Sequence, residues 1–190
     1  MRVIAGKAGG VPLKAPPSGT RPTTDRVREA VFSVFANWAG QGGAAAADQL
    51  ADLAVLDLFA GSGAVAIEAL SRGAVRAVAV DASAAALYRM RGNALAAGVP
   101  LEAVHATVDA YLAASAERFD IVWLDPPYEL NVLALDAVLA RVAAETRLSS
   151  PGLVAVERSA RTPAPTWPPR LAETWSRRYG ETVVHFGQAG

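Results

Sequence analysis

Four consecutive residues, Asp125-Pro126-Pro127-Tyr128, have the side chains needed to methylate an exocyclic amino nitrogen of a nucleic-acid base. Such an amino group is a poor nucleophile, because its lone pair is delocalised into the ring. Asp125 can accept a hydrogen bond from one N–H of the amino group and stabilise the positive charge that develops on its nitrogen. The carbonyl of Pro126 can accept a hydrogen bond from the other N–H. The prolines stiffen the backbone without adding an N–H, while Tyr128 can stack on the base and hold it in line. A proline-rich turn that only closes a buried strand is the alternative.

A glycine turn upstream of these residues predicts a cofactor that contains a nucleoside. The spacing Gly61-x-Gly63-x-x-Ala66 lets the backbone approach a ligand closely. It also fits the dinucleotide fingerprint, so an NAD-binding oxidoreductase stays open. Asp57, just before the glycines, favours S-adenosyl-L-methionine. A carboxylate there can bond the amino group of the methionine part, whereas it would repel a pyrophosphate.

Two more acids follow the next strand-like segments. Asp81 can accept both hydroxyls of a ribose, which indicates a ribose without identifying the ligand. Asp109 can accept the amino group of an adenine, or it can be the N-cap of the helix that follows it. The predicted cofactor contacts are Asp57, Phe59, Ala60, Gly61, Ser62, Gly63, Asp81, Asp109, Ala110 and Asp125.

From Leu53 onward, short apolar runs alternate with stretches that have helical spacing, and this pattern must position the acids. It predicts a mostly parallel sheet with helices on both faces. In such sheets ligands bind beyond the carboxyl ends of the strands, so the acids should share one crevice. The predicted strands are 55–59, 75–80, 101–107, 121–124 and 153–157, with a closing hairpin at 173–179 and 182–186. The predicted helices are 65–71, 83–97, 110–116 and 132–146.

The N-terminal part has a different pattern. Residues 2–6 and 11–15 flank a Gly-Gly pair and predict a β-hairpin. A helix is predicted from Asp25 onward, with Thr24 or Thr23 as its N-cap. Residues 39–52 are rich in glycine and alanine, which predicts a loop with a poorly ordered tip.

Composition excludes several classes of chemistry. The chain has no cysteine, so disulfides, cysteine-ligated metals and thiol catalysis are excluded, and no metal site is predicted. No apolar stretch is long enough for a signal peptide or a membrane span, which predicts a cytoplasmic protein. The formal net charge is zero, but residues 1–30 hold six basic against two acidic side chains. Residues 158–178 hold five against one. These two basic ends predict a patch for phosphates.

Together these motifs resemble the RsmD family, bacterial methyltransferases that modify a guanine N2 in 16S ribosomal RNA. The resemblance covers most of the chain. Its most specific part is the stretch from Arg21 to Phe32, and the catalytic tetrad, the leading hairpin and the glycine loop with residues 68–74 also resemble the family. The family often has Glu where this chain has Asp81. The resemblance implies a class I, Rossmann-like methyltransferase fold with a seven-stranded sheet, preceded by a small β-hairpin extension.

The resemblance also implies the substrate and the cofactor. We expect methyl transfer from S-adenosyl-L-methionine to guanine 966, in the usual numbering of 16S rRNA, on a small-subunit particle or an assembly intermediate. We expect residues 1–20 to form the RNA-contacting extension, residues 21–190 to form the methyltransferase domain, and the protein to be a monomer. Arg26 or Arg28 is expected to pair with the cofactor carboxylate or an RNA phosphate. The predicted RNA-binding residues are Arg2, Lys7, Lys14, Arg21, Arg26 and Arg28.

Other functions fit parts of the sequence. A DNA or RNA methyltransferase that acts on adenine N6 or cytosine N4 has the same tetrad, although DNA enzymes usually carry a recognition insert that 190 residues leave no room for. Guanine is favoured because it presents N1–H and N2–H on one edge, whereas adenine N1 is an acceptor that would repel Asp125. An NAD-binding oxidoreductase leaves the tetrad unexplained. A non-catalytic RNA-binding module would use the basic ends alone.

Overall fold

A computed structural model describes residues 1–15, 24–144 and 146–190. Within these residues, one sheet contains the strands β1 (Ala54–Leu58), β2 (Arg76–Asp81), β3 (Glu102–His105), β4 (Phe119–Leu124), β5 (Leu148–Ser159), β6 (Glu173–Tyr179) and β7 (Thr182–Ala189). Their order across the sheet is β3-β2-β1-β4-β5-β7-β6. Strands β1 to β5 pair in parallel, and β7 is antiparallel to both β5 and β6. The mostly parallel sheet of the sequence prediction is confirmed.

Four of the five α-helices that the structure describes begin after a residue whose side chain caps them. The five helices are α1 (Asp25–Trp38), α2 (Ala64–Ser71), α3 (Ala84–Ala97), α4 (Val108–Ala114) and α5 (Val132–Val142). The side chains of Thr24, Ser83 and Asn131 each accept a hydrogen bond from the first turn of the helix that follows. Helix α3 ends at Ala97, and Gly98 follows it as the C-cap in the left-handed conformation.

The sheet separates two apolar cores because successive side chains of a strand point to opposite faces. In β4, Ile121 and Trp123 pack with residues of α1, α2 and α3. Val122 and Leu124 pack on the other face with residues of α4 and α5. The Trp123 ring meets Phe35 of α1 edge to face, with centroids 6.5 Å apart. The strand that carries the tetrad is therefore fixed from both sides.

Residues 1–15 form a turn closed by one antiparallel β-bridge, between Arg2 and Pro12, instead of the two longer strands of the predicted hairpin. This N-terminal hairpin packs against α2. The backbone N–H groups of Ile4 and Ala5 donate to the fully buried carboxylate of Glu68 at 2.7 and 3.0 Å. Gly6 has a φ of +84°, and a Cβ there would lie 2.0 Å from the carbonyl oxygen of Ser71. Only glycine allows this approach. The hairpin is joined to α2 through hydrogen bonds to the buried side chain of Glu68 as well as through apolar packing.

Residues 39–52 form the predicted loop, which contains one 3-10 turn at Ala46–Asp48. Leu50 in this loop is fully buried, and its N–H donates to the Arg72 carbonyl at 2.9 Å, which anchors the loop to the end of α2. One predicted boundary is wrong. Helix α5 ends at Val142 instead of 146, because Leu148 already pairs with β4. In the ranges that the structure describes, no helix is both long and apolar enough to cross a membrane.

Candidate active site

A cavity of about 700 Å³ opens at the carboxyl ends of β1, β2, β4 and β5. The order of the strands reverses between β1 and β4, which is where sheets of this kind leave a crevice. Eight of the ten predicted cofactor contacts line the cavity, together with the whole predicted tetrad. The eight are Asp57, Phe59, Ala60, Gly61, Ser62, Asp81, Asp109 and Asp125.

Gly63 and Ala110, the other two, do not line the cavity in this structure. Gly63 has a φ of +74°, and a Cβ there would lie 3.0 Å from a side-chain carbon of Met90. This glycine lets α2 start close to α3. Contact of Gly63 and Ala110 with a cofactor stays a prediction. In the part of the chain that the structure describes, no group of three or more acidic, histidine or cysteine side chains could hold a metal ion.

The glycine loop, residues 60–63, is held in place by hydrogen bonding to Asp81, and the residue before it, Phe59, has a strained backbone. The Asp81 carboxylate accepts the N–H of Gly61 with one oxygen and the N–H of Ser83 with the other, both at 2.8 Å. Phe59 has a φ of +63°, a left-handed conformation that non-glycine residues rarely adopt. Such strain persists only where the surroundings impose it, and it concentrates at ligand sites.

Asp57 is a buried carboxylate at the end of β1, 1% exposed. It accepts the N–H of Ala66 at 3.2 Å, in the first turn of α2, whose own N-cap Gly63 has no side chain to offer. The pKa of Asp57 is raised to about 8: burial raises it most, the hydrogen bond from Ala66 partly offsets this rise, and the charge of Asp81 adds to it. A buried acid of this kind can pair with a cationic ligand group that enters the cavity.

The tetrad begins where β4 ends. The N–H of Asp125 donates to the Leu58 carbonyl at 3.3 Å, which joins the tetrad to the end of β1. The N–H of Leu130 donates to the Pro127 carbonyl at 3.0 Å and closes a tight turn around Tyr128. The Tyr128 side chain is 60% exposed at the mouth of the cavity. An aromatic face and a carboxylate therefore border the same space as Asp57 and Asp81.

Asp109 lies at the edge of the cavity and does not cap α4. The N-cap is Thr107, whose hydroxyl accepts the N–H of Ala110 at 3.1 Å. The N-cap alternative for Asp109 is therefore wrong. Its carboxylate pairs with Arg141 of α5 at 2.6 Å while most of the side chain is exposed. Contact with a cofactor adenine stays a prediction.

The predicted RNA-binding residues fall into three groups. Arg2, Lys7, Lys14 and Arg26 have exposed side chains, and Arg21 lies outside the described residues. Arg28 is 1% exposed, so its predicted contact with RNA or with the cofactor carboxylate is wrong.

The Arg28 guanidinium holds three segments of the protein together instead. It donates to the Arg2 carbonyl and to Asp25, and its Nε lies 3.8 Å from a carboxylate oxygen of Glu68. These contacts tie α1 to the hairpin and to α2.

The basic cluster at 158–178 is not one surface. Arg158 is 7% exposed, and its guanidinium donates to backbone carbonyls below the tetrad. Arg170 donates to the carbonyls of Ala143 and Leu148 at 2.7 and 3.0 Å. The prediction of a phosphate patch there is wrong for these two arginines, because their charges point into the fold. Arg177 and Arg178 are exposed on the edge strand β6.

The sequence prediction missed several residues that line the cavity. Glu157 and Arg158 come from the end of β5, and Thr107 precedes α4. The rule that ligands bind beyond the carboxyl ends of parallel strands could have found the pair on β5.

Along nearly its whole length, the chain is similar to proteins of one family. The family described as conserved hypothetical protein 95 matches residues 1–188. Ribosomal RNA small subunit methyltransferase D of Escherichia coli strain K12 is 34% identical over 171 residues, covering 88% of this chain and 79% of that protein. A hypothetical protein of Thermus thermophilus has a similar structure, with a TM-score of 0.80, 29% identity and 98% of both chains covered.

A more distant solved structure has the same fold. It is the 16S rRNA N2 guanine methyltransferase RsmC of Thermus thermophilus, in complex with AdoMet and guanosine. Its TM-score is 0.67 at 19% identity, over 91% of this chain and 44% of that chain. The predicted class I methyltransferase fold is confirmed.

Proposed function

The chain belongs to the RsmD family of ribosomal RNA methyltransferases, and we propose that it transfers a methyl group from S-adenosyl-L-methionine to the exocyclic N2 of one guanine in 16S rRNA. The observation that carries this proposal is the shared cavity. It brings the buried Asp57 and the loop-holding Asp81 to the same space as Asp125 and Tyr128. A cofactor site and an amino-acceptor site thus face each other across about 700 Å³.

The residues at the ends of β1 and β2 fit S-adenosyl-L-methionine. Its amino group is cationic, and the buried carboxylate of Asp57 is a suitable partner for a cation. The Asp81 oxygens each hold one backbone N–H, and a carboxylate has about four acceptor positions. Positions therefore remain for two ribose hydroxyls. A pyrophosphate, as in NAD, would bring negative charge to Asp57. When bound, the cofactor supplies an electrophilic methyl group.

The tetrad supports the attacking amino group. Asp125 is partly buried at the end of β4, where its carboxylate can accept a base N–H and stabilise positive charge that develops on the nitrogen. Tyr128 offers an exposed ring on which a base that has left its stack can lie. The backbone between them is fixed at Asp125 by Leu58 and at Pro127 by Leu130. Positioning and electrostatic stabilisation are thus supplied by residues that the fold holds rigidly.

Guanine suits this acceptor site better than adenine or cytosine. Its N1–H and N2–H lie on one edge, and the two oxygens of Asp125 can accept both. Adenine has a hydrogen-bond acceptor at N1 and cytosine has one at N3. Either acceptor would face the Asp125 carboxylate with no hydrogen between them, and the two would repel each other. The guanosine in the RsmC structure belongs to a protein of the same fold.

The exposed basic residues at the N-terminus are proposed to bind the RNA. The cavity lining includes Met1, so the hairpin borders the entrance to the site. Residues 1–15 contain no acid. Arg2, Lys7, Lys14 and Arg26 have exposed side chains that can reach phosphates without disturbing the core. This local positive charge allows a protein with zero net charge to bind RNA, either free or on a small-subunit particle.

Labelled methyl transfer tests the proposal directly. The protein is incubated with labelled S-adenosyl-L-methionine and with naked 16S rRNA, small-subunit particles or genomic DNA, and the modified nucleoside is identified. We expect N2-methylguanosine from one of the two ribosomal substrates, and Asp125→Ala serves as the inactive control. Label in N6-methyladenosine or N4-methylcytosine contradicts the assignment of guanine. Thermal stabilisation by NADH but not by S-adenosylhomocysteine contradicts the methyltransferase assignment itself.

A further inference from the structure

Arg158 is a buried arginine directly below the tetrad, at the end of β5. Its Nη2 donates to the Leu130 carbonyl at 3.0 Å, and its Nη1 reaches the Pro127 carbonyl at 3.5 Å. Its Nε is buried and has no hydrogen-bond partner. The side chain also lines the cavity. The guanidinium thus lies between the sheet and the loop that carries the acceptor chemistry.

Burying a charged guanidinium costs more free energy than two hydrogen bonds to carbonyls normally return. Moving a guanidinium out of water costs several kcal/mol unless its partners compensate, and here one N–H has no hydrogen bond. Burial also lowers the pKa of Arg158, against the charges of Asp125 and Tyr128, which raise it. Water could satisfy the carbonyls of a surface turn at less cost. We therefore consider how the geometry and the charge of Arg158 affect the turn 127–130.

The geometry acts on Tyr128. Pro127 and Leu130 flank it, and the hydrogen bond between them closes the turn from which it projects. With 60% of its side chain exposed, Tyr128 has little packing of its own to fix its direction. The guanidinium donates to both ends of the turn. Arg158 therefore fixes the direction in which the ring leaves the loop.

The charge acts on Asp125, since the two groups interact electrostatically. A positive charge near a carboxylate favours its ionised form, which only accepts hydrogen bonds. That is the form required to accept base N–H groups. Other titratable groups that line the cavity are Asp57, Asp81, Asp109, Tyr128, Glu129 and Glu157. On the neighbouring strand β7, burial and the charge of Arg158 lower the pKa of His185.

We propose that Arg158 is a positioning residue for methyl transfer, one that orients Tyr128 by holding both ends of the turn 127–130 and whose positive charge interacts with Asp125. This inference rests on the proposed function. Arg158 acts through these two residues and does not touch the reacting atoms.

The chain offers a matched control in Arg170. It too is an arginine whose guanidinium donates to backbone carbonyls, those of Ala143, Leu148 and Ser149, but these lie away from the cavity. Arg158→Met and Arg170→Met each remove one inward-pointing charge together with its hydrogen bonds to backbone carbonyls, two for Arg158 and three for Arg170. Arg158→Lys keeps the charge and loses the two-pronged contact. The three variants separate loss of folding, loss of geometry and loss of charge.

We expect Arg158→Met to lower kcat about 100-fold, the size of effect that misplaced reacting groups produce. Affinity for S-adenosylhomocysteine should stay at the wild-type value, because Asp57 and Asp81 are untouched. The acid limb of the kcat profile should move to higher pH in Arg158→Met and stay in place in Arg158→Lys. Arg170→Met should keep the wild-type kcat for its folded fraction. In a Tyr128→Ala background, Arg158→Met should lower kcat much less than it does in the wild type.

Equal kcat values in Arg158→Met and Arg170→Met, corrected for folded fraction, overturn the inference. The inference is also overturned if the effects of Arg158→Met and Tyr128→Ala on kcat are additive and the acid limb of the kcat profile does not move in Arg158→Met. A wild type that methylates no RNA is a failure of the proposed function. In that case the carboxyl titration of Asp125, followed by NMR, still decides the electrostatic part. A higher pKa of Asp125 in Arg158→Met supports that part, and an unchanged pKa refutes it.

Discussion

Replacing Asp57 by asparagine should remove the pH dependence that this one buried acid gives to the stability of the cofactor-free protein. The substitution keeps an acceptor oxygen for the N–H of Ala66, so the first turn of α2 stays capped. It removes the ionisation whose pKa burial raises to about 8 in the folded protein. The absolute stability of the variant depends on how its amide packs. The pH dependence of the difference from wild type depends on Asp57 alone.

The sign follows from where the protons are bound. Between the ordinary pKa of 3.8 and about 8, the folded protein holds a proton on Asp57 that the unfolded chain has lost. Wild-type stability therefore falls as pH rises through this window, relative to the variant, and the difference is constant above it. At about 1.4 kcal/mol for each pKa unit, the relative loss between pH 5 and pH 8 is about 4 kcal/mol. For a chain of this size that corresponds to roughly 10 °C in Tm.

Urea unfolding of both proteins at pH 5, 6, 7, 8 and 9, without cofactor, measures this difference. All other titrating groups are common to the two proteins, so the subtraction removes them. A difference in unfolding free energy that does not change between pH 5 and pH 8 refutes the argument. It would mean that water reaches Asp57 or that the carboxylate has a partner that keeps it ionised.

Cofactor affinity should also depend on the ionisation of Asp57, and it should increase as Asp57 loses its proton. If ionised Asp57 pairs with the amino group of the cofactor, wild-type affinity for S-adenosylhomocysteine rises from pH 6 to pH 8, and binding at pH 7 releases a proton. The Asp57→Asn variant should bind about 10- to 100-fold more weakly at pH 8, since a charged hydrogen bond contributes roughly 1.5–3 kcal/mol. Its affinity should change less with pH. Calorimetry in buffers of different ionisation enthalpy detects the proton.

Three other predictions concern the acceptor site, the RNA surface and the hairpin. Tyr128→Ala should lower kcat/KM for RNA about 10- to 100-fold, as expected for the loss of one base-stacking contact, without weakening binding of S-adenosylhomocysteine in calorimetry; a matching loss of cofactor affinity would contradict its assigned role. Substituting Arg2, Lys7 and Lys14 together by glutamine should weaken RNA binding and make its dependence on salt concentration shallower, because phosphate contacts are lost. Filter binding at several salt concentrations measures both effects. An unchanged salt dependence would exclude the hairpin from the RNA interface. Glu68→Gln should lower the free energy of unfolding by about 3 kcal/mol, because it leaves the buried Arg72 without its charge partner and removes one of the two carboxylates that face Arg28. Urea unfolding gives the value, and a loss below about 1 kcal/mol, typical of exposed pairs, would contradict the buried network.

Much of the fold and part of the candidate site were predictable because the signals are local. The two-residue alternation in β4 and the caps at Thr24 and Ser83 lie within a few residues of the structure they specify. The glycine turn and the tetrad are equally local. Their meeting in one cavity followed from a general rule, since parallel strands place their carboxyl ends at one edge. The same rule, applied to β5, would have added Glu157 and Arg158.

What only the tertiary structure decided is which charges are buried. In the sequence Arg28 and Arg158 are cations in basic clusters, and arginine is rarely buried unless it is paired. The partners that bury them are distant in sequence: Glu68 for Arg28, and the carbonyls of Pro127 and Leu130 for Arg158. The raised pKa of Asp57 has the same origin, because burial is a property of the assembled fold. The sequence determined which groups stand at the edge of the sheet, whereas their solvation and their partners were decided only when distant segments came together.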